Sequence, residues 1–199
     1  MTNESRRSLH GLAELVLAGP QHRASGTIRL RVTEDGFATV AAPDLRVTAD
    51  ALYAGDRRIA LAGRSFADVA AEAGVDPGVP RDVYHDHSGA EPGDKIVLDG
   101  AAALIAAFTT GDRALRALDP TATPVLWPEH FDVGISLDEV NYGVSAGDVT
   151  IGEPYAYVGP WTPRTGDFWN VSFGAAFPMR ELPDLRAFFE EGRQLAAKG

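Results

Sequence analysis

The chain has 199 residues, enough for one large or two small domains, and its 45% hydrophobic content supports a packed core rather than disorder. Eighteen Lys and Arg stand against 28 Asp and Glu, a formal charge of -10, and the arginines are scattered along the sequence, so a phosphate backbone would meet net repulsion. The absence of cysteine excludes disulfides, thiolate nucleophiles and Cys-ligated metal centres, and no apolar run approaches the roughly 20 residues needed to cross a bilayer.

Leu9, Leu12, Leu15 and Val16 recur at helical spacing, which predicts a short amphipathic helix over 8–18 stopped by Gly19-Pro20. From Thr27 the period becomes two. "TIRLRV", a Glu34-Asp35-Gly36 turn and "FATVAA" read as a β-hairpin, and "LRVTA" and "RRIAL" read as further strands. Ser65 and Asp68 are spaced as a capping box for a helix that runs to Ala73 and ends at Gly74. Residues 75–94, rich in Pro and Gly, form a long irregular loop that contains "YHDHSG". Leu104, Phe108, Leu115 and Leu118 form a helical stripe that Gly111 is expected to divide, and Asp119-Pro120 ends it. "VLWPEHFDVGISL", "EVNYGVS", "PYAYVG" and "FWNVSFG" read as strands, and a last helix spans 185–197 with Pro183 suited to its first turn. The expected fold class is α+β, with antiparallel sheet, an N-terminal helix, a central helical segment and a C-terminal helix. It is expected as one integrated domain over 1–199, built from β-rich halves of about 1–120 and 121–199.

Two catalytic or binding motifs are decoys. Gly143-Val144-Ser145-Ala146-Gly147 fits the nucleophile elbow of α/β-hydrolases, but no helix pattern follows Ser145 and no histidine lies downstream of it. "SFADVAAEAGV" resembles the start of a helix-turn-helix, but the prolines of "DPGVPRDVYHD" forbid a recognition helix.

Read as one strand, "LWPEHFD" places His130 and Asp132 on one face, where a carboxylate can fix an imidazole tautomer or orient a metal-ligating histidine. His85 and His87 have the same spacing in the loop. With His130 they form a candidate three-histidine metal site, with zinc, iron or manganese as the fitting ions. Most aromatic residues fall after position 126, among them Tyr142, Tyr155, Tyr157 and all three tryptophans. Such rings line ligand pockets or fill cores, and Tyr155 and Tyr157 would share a strand face with Glu153.

Taken together, "LWPEHFD", "VNYGVSAGD", "EPYAYVGPW" and "FWNVSFGAA" resemble a bacterial family of unknown function marked by a Leu-Trp-Pro-x-His-Phe-Asp segment and a Glu-Pro-Tyr-x-Tyr segment. The likeness covers roughly the last 80 residues. Family members tend to carry a second histidine where this chain has Glu129. The resemblance implies no reaction. It implies only that His130, Asp132, Asn141, Glu153, Tyr155 and Trp161 belong to one recurring constellation.

The leading expectation is a cytoplasmic protein, engaging neither nucleic acid nor membrane, that binds a small polar ligand in an aromatic-lined cleft. His130, Asn141, Tyr155, Tyr157 and Trp161 would contact that ligand, and Asp132 and Glu153 are the candidate acid-base residues. One alternative is a metal-dependent hydrolase or lyase with a divalent metal such as zinc on His85, His87 and His130. Another is a structural or partner-binding module.

Overall fold

The computed structural model describes residues 2–84 and 87–198. The chain divides into two compact units, 1–106 with 126–131, and 107–125 with 132–199. The division falls inside the central helix and within "WPEHFD" rather than near residue 120. The fold is α+β and every strand pairing is antiparallel. No helix among the described residues is long and apolar enough to cross a membrane.

The first unit opens on α1 (Asn3–Gly11), a π-helical segment (Leu12–Ala18) and α2 (Gly19–Ser25), which run on without interruption. Gly19-Pro20 therefore does not stop the helix. Within a π-helix the donor partner of Leu15 O is residue 20, which as proline has no N–H, and the Gly78 N–H takes that carbonyl instead at 2.9 Å. Gly19 makes the approach feasible, because a Cβ there would lie 1.6 Å from Gly78 O. The pair read as a stop signal is in fact the docking point for residues 77–78.

Beneath this helical stretch lie β1 (Leu30–Thr33), β2 (Gly36–Thr39), β3 (Leu45–Thr48), β4 (Ala51–Ala54), β5 (Arg57–Ala60) and β6 (Val125–Trp127). Their order is β6-β1-β2-β3-β4-β5. Val32, Phe37, Val47, Leu52 and Ile59 are register partners in turn, so period-two alternation places one row of side chains on the helix-facing side. Arg31, Ala38, Arg46, Tyr53 and Arg58 make the neighbouring row on the opposite face. Gln21 is fully buried and fully satisfied: its amide donates to Thr27 O and Arg29 O and accepts from the Val40 and Ala41 N–H groups at 2.7–3.0 Å. The capping box forms as expected, Ser65 accepting from the Asp68 N–H and opening α3 (Phe66–Ala73), with Gly74 in the left-handed region at its end.

Helix α4 (Ala101–Leu118) is unbroken. Gly111 serves packing, since a Cβ on it would meet Val144 Cγ2 at 2.7 Å and Val133 Cγ1 at 3.2 Å. The second unit adds β7 (Asp132–Leu137), β8 (Val140–Ser145), β9 (Tyr155–Pro160) and β10 (Ala175–Pro178), in that spatial order, and α5 (Leu185–Ala196) packed on β8 and β9. The segment "FWNVSFG" is not a strand. Val171 and Gly174 bond each other's backbone across a tight turn, at 3.0 and 3.1 Å, so that pairing with β9 begins only at Ala175, and the Asn170 side chain bonds the outer N–H and C=O of Ala176. Asp184 caps α5, and Pro183 sits one residue before the cap instead of in the first turn.

Ser145 ends β8 and runs into the Ala146-Gly147-Asp148 loop, with no helix behind it. The described residues 75–84 and 87–100 likewise form no recognition helix.

Candidate functional site

The "LWPEHFD" segment is not one strand. Residues 128–131 form a turn between β6 and β7, and Phe131 adopts φ 50°. Pro128 has no N–H for a ladder, and the turn resets the alternation that would have put His130 and Asp132 on a common face. His130 projects outward with 67% of its side chain exposed, its Nε2 4.0 Å from Glu129 Oε1. Asp132, the first residue of β7, is buried at 8% exposure.

In the second unit the register gathers several of the expected residues on one sheet face. Asp132, Ser145 and Tyr155 form one cross-strand row; Gly134, Gly143 and Tyr157 form the next; Ser136, Asn141 and Gly159 form the third. The two glycines create room for the Tyr157 ring, because a Cβ at Gly143 would lie 2.5 Å from it. Tyr157 donates a short hydrogen bond to Asp132, and Tyr155 donates to Asp148 Oδ2 at 2.7 Å. Burial first, then these carboxylates, push the Tyr157 phenol well above its ordinary pKa and Tyr155 up to about 12. Asn141 Oδ1 accepts from Ser136 Oγ at 2.7 Å and from the indole of Trp161, which is 63% exposed, at 3.2 Å. Glu153 precedes β9 and pairs with Arg180 at 3.2 Å. Asn141, Glu153, Tyr155, Tyr157 and Trp161 are therefore each engaged in a local pairing.

Of the three-histidine set, His85 lies outside the described residues. His87 Nδ1 accepts from the Gly89 N–H at 3.0 Å, and among the described residues no three His, Asp or Glu side chains are grouped to hold a metal ion.

A second polar cluster lies in the first unit, at residues that the periodicity did not single out. Glu14 sits on the π-helical segment and is 0% exposed. Its Oε2 accepts from the Ser88 N–H at 2.9 Å, whereas Oε1 has no hydrogen-bond partner among the described residues. His10, one turn earlier, stacks on Phe131 with ring centroids 5.0 Å apart and places Nε2 2.6 Å from Pro128 O and 3.5 Å from Glu14 Oε1. A carbonyl only accepts, so Nε2 carries the proton and donates to Pro128 O. The Tyr84 hydroxyl is buried against the Glu14 carboxylate, without a hydrogen bond of close geometry. Burial, then the charges of Glu14 and Glu129 and the contact of its hydroxyl with Glu14, hold that phenol protonated far above its usual range. Glu129 Oε2 is also buried without a partner among the described residues. Three ionisable groups from three parts of the first unit thus leave polar atoms open beside one another, where burial makes each open atom cost about 1–3 kcal/mol.

The sequence carries traces of this cluster. Glu14 is the lone charge in "LAELVLAG", a run buried all round rather than along one stripe, and His10 precedes it by one helical turn. "YHDHSG" draws attention to its histidines, whereas the described part of it contributes a tyrosine.

No family model matches the chain, and neither a curated protein nor a solved structure is similar to it.

Proposed function

We propose that the protein binds a small polar ligand carrying an ammonium or other N–H donor group, held by Glu14, Glu129 and Tyr84 in the first unit. The observation that carries this reading is the set of buried, open polar atoms Glu14 Oε1, Glu129 Oε2 and Tyr84 Oη. Carboxylate oxygens are acceptors only, and a phenol can both accept and donate, so the ligand that completes the cluster brings donors. An ionised carboxylate buried without a full cationic partner is costly, and a ligand ammonium removes that cost by neutralising Glu14 in place. His10 gives its Nε2 proton to Pro128 O, which leaves it a poor partner for Glu14 at 3.5 Å. The Gln21 amide, equally buried and fully bonded, is the contrast within the same unit.

The test is a thermal-melting titration with methylammonium, ethanolamine and agmatine at constant ionic strength. At least one amine should stabilise the wild-type protein saturably, and the effect should vanish in Glu14→Gln, which keeps the side-chain shape but removes the charge. Stabilisation that survives Glu14→Gln, or none with any amine, would refute the assignment.

A further inference from the structure

The second unit contains a separate cleft of about 120 Å³ between the β7–β8 turn and the C-terminal end of α5, lined by Asp138, Glu139, Tyr142, Arg164 and Arg193 among others. That volume equals about four waters at roughly 30 Å³ each, room for a molecule of a few heavy atoms. Three of its groups lack their natural partner. Tyr142 is 0% exposed and packs edge-on against Phe189, yet its hydroxyl has no hydrogen-bond partner among the described residues. Tyr142 lines the cleft together with Arg193 and Asp138. Arg164 donates only to Ala196 O and has no carboxylate partner among the described residues. Glu139 has no cationic partner there either, whereas its neighbour Asp138 is bound to Arg193 at 2.9 Å.

The turn itself is held unusually. Asp138 and Glu139 both have positive φ, 54° and 61°, the left-handed pair of a two-residue hairpin turn in which Asn and Gly are the unstrained choices. Two acidic side chains are thereby kept at the mouth of the cleft at a cost in backbone energy.

We infer that this cleft binds a small zwitterion with a carboxylate and an ammonium group, of the size of a small free α-amino acid. Its carboxylate accepts from the Tyr142 hydroxyl and from Arg164, and its ammonium meets Glu139. One ligand of this chemistry completes all three open groups, whereas a simple anion leaves Glu139 unmatched and a simple cation leaves Tyr142 and Arg164 unmatched.

Calorimetric titration with alanine, and with acetate and methylammonium as the two half-ligands, tests this in the wild type, in Tyr142→Phe and in Glu139→Gln. Tyr142→Phe keeps the ring packed on Phe189 and Glu139→Gln changes an exposed turn, so both variants are expected to fold, which their melting curves check. Alanine should bind saturably and more tightly than either half-ligand. Tyr142→Phe should weaken it at least about tenfold, the scale of one hydrogen bond to a charged acceptor. Glu139→Gln should weaken alanine while leaving acetate unchanged, and all of this should persist in the Glu14→Gln background, which isolates the cleft from the first unit. No alanine binding, equal binding of acetate and alanine, or affinities unchanged in both variants would each overturn the inference.

Discussion

The Tyr155–Tyr157 set of the second unit and the Tyr84 cluster of the first both bury tyrosine hydroxyls beside carboxylates, but the two are left in different states. In the second unit Tyr157 donates to Asp132 and Tyr155 donates to Asp148, so each phenol proton has an acceptor within its own sheet face. In the first unit Tyr84 lies between the charges of two carboxylates and makes only a loose contact with Glu14, while Glu14 and Glu129 each keep an open buried oxygen. Residue chemistry is the same in the two places; satisfaction is not. A phenol that donates to its neighbour fixes local geometry and has its proton engaged, whereas an open cluster is unfavourable alone and gains when a ligand completes it. Composition would have ranked the two alike. The hydrogen-bond inventory separates them.

The largest effect is expected where backbone approach holds the open cluster together. Gly19→Ala puts a Cβ 1.6 Å from Gly78 O, against backbone that cannot swing aside, and pushes the loop bearing Tyr84 off the helix. A loss of about 3 kcal/mol in urea denaturation, at the upper end for overpacking, is the expected outcome, together with loss of any amine binding. The matching change in the closed cluster is Gly143→Ala, whose Cβ meets the Tyr157 ring at 2.5 Å. It should cost about 2 kcal/mol by the same measurement and leave amine binding intact.

Alkaline pH sharpens the contrast by removing phenol protons. Tyr155 is pushed up to about 12 in the folded protein against an ordinary value of 10, so it keeps its proton where the unfolded chain has lost it. Its contribution to stability is complete below pH 10 and disappears as pH rises through about 12. Stability should therefore fall across that window, and Tyr155→Phe should make the fall shallower; a decline as steep as that of the wild type would contradict the reading. The smallest effect is expected at Trp161, outside both clusters. With 63% exposure and one hydrogen bond to Asn141, its replacement by Ala should move stability by no more than about 0.5 kcal/mol.

Much of the fold was legible because local chemistry and tertiary context agree there. The "TIRLRV" and "FATVAA" hairpin, the Ser65–Asp68 capping box and the "EVNYGVS" strand each carry a periodicity or cap that the structure uses directly. The misread positions are those where a residue serves a distant partner. Gly19-Pro20 reads locally as a stop, but the π-helix and the Gly78 N–H remove the reason to stop. Gly111 reads as a break, but it fits Val144 and Val133. "WPEHFD" reads as a strand because its residue types alternate well enough, and only the turn at 128–131 shows that Pro128 ended the ladder.

The candidate site divides the same way. Strand spacing put Tyr155 and Tyr157 on one strand face, and only the register across β7, β8 and β9 sets Asp132 beside them. Glu14, Tyr84 and Glu129 are separated by up to 115 positions, and no spacing rule connects a helix, a loop and a turn. What could have drawn attention to Glu14 is its isolation: one charge in an apolar run that is buried on every side.

The central claim, that one tyrosine-carboxylate set is structural and the other is held open for a ligand, is tested most directly by equilibrium denaturation of Tyr157→Phe and Tyr84→Phe side by side. Tyr157→Phe strips Asp132 of its phenol donor and should lose about 1–3 kcal/mol. Tyr84→Phe deletes a buried hydroxyl that makes only a loose contact with Glu14, and should change stability by less than about 0.5 kcal/mol. A loss in Tyr84→Phe as large as in Tyr157→Phe would mean that the first-unit cluster is a structural network like the second, and the distinction on which the proposed function stands would be wrong.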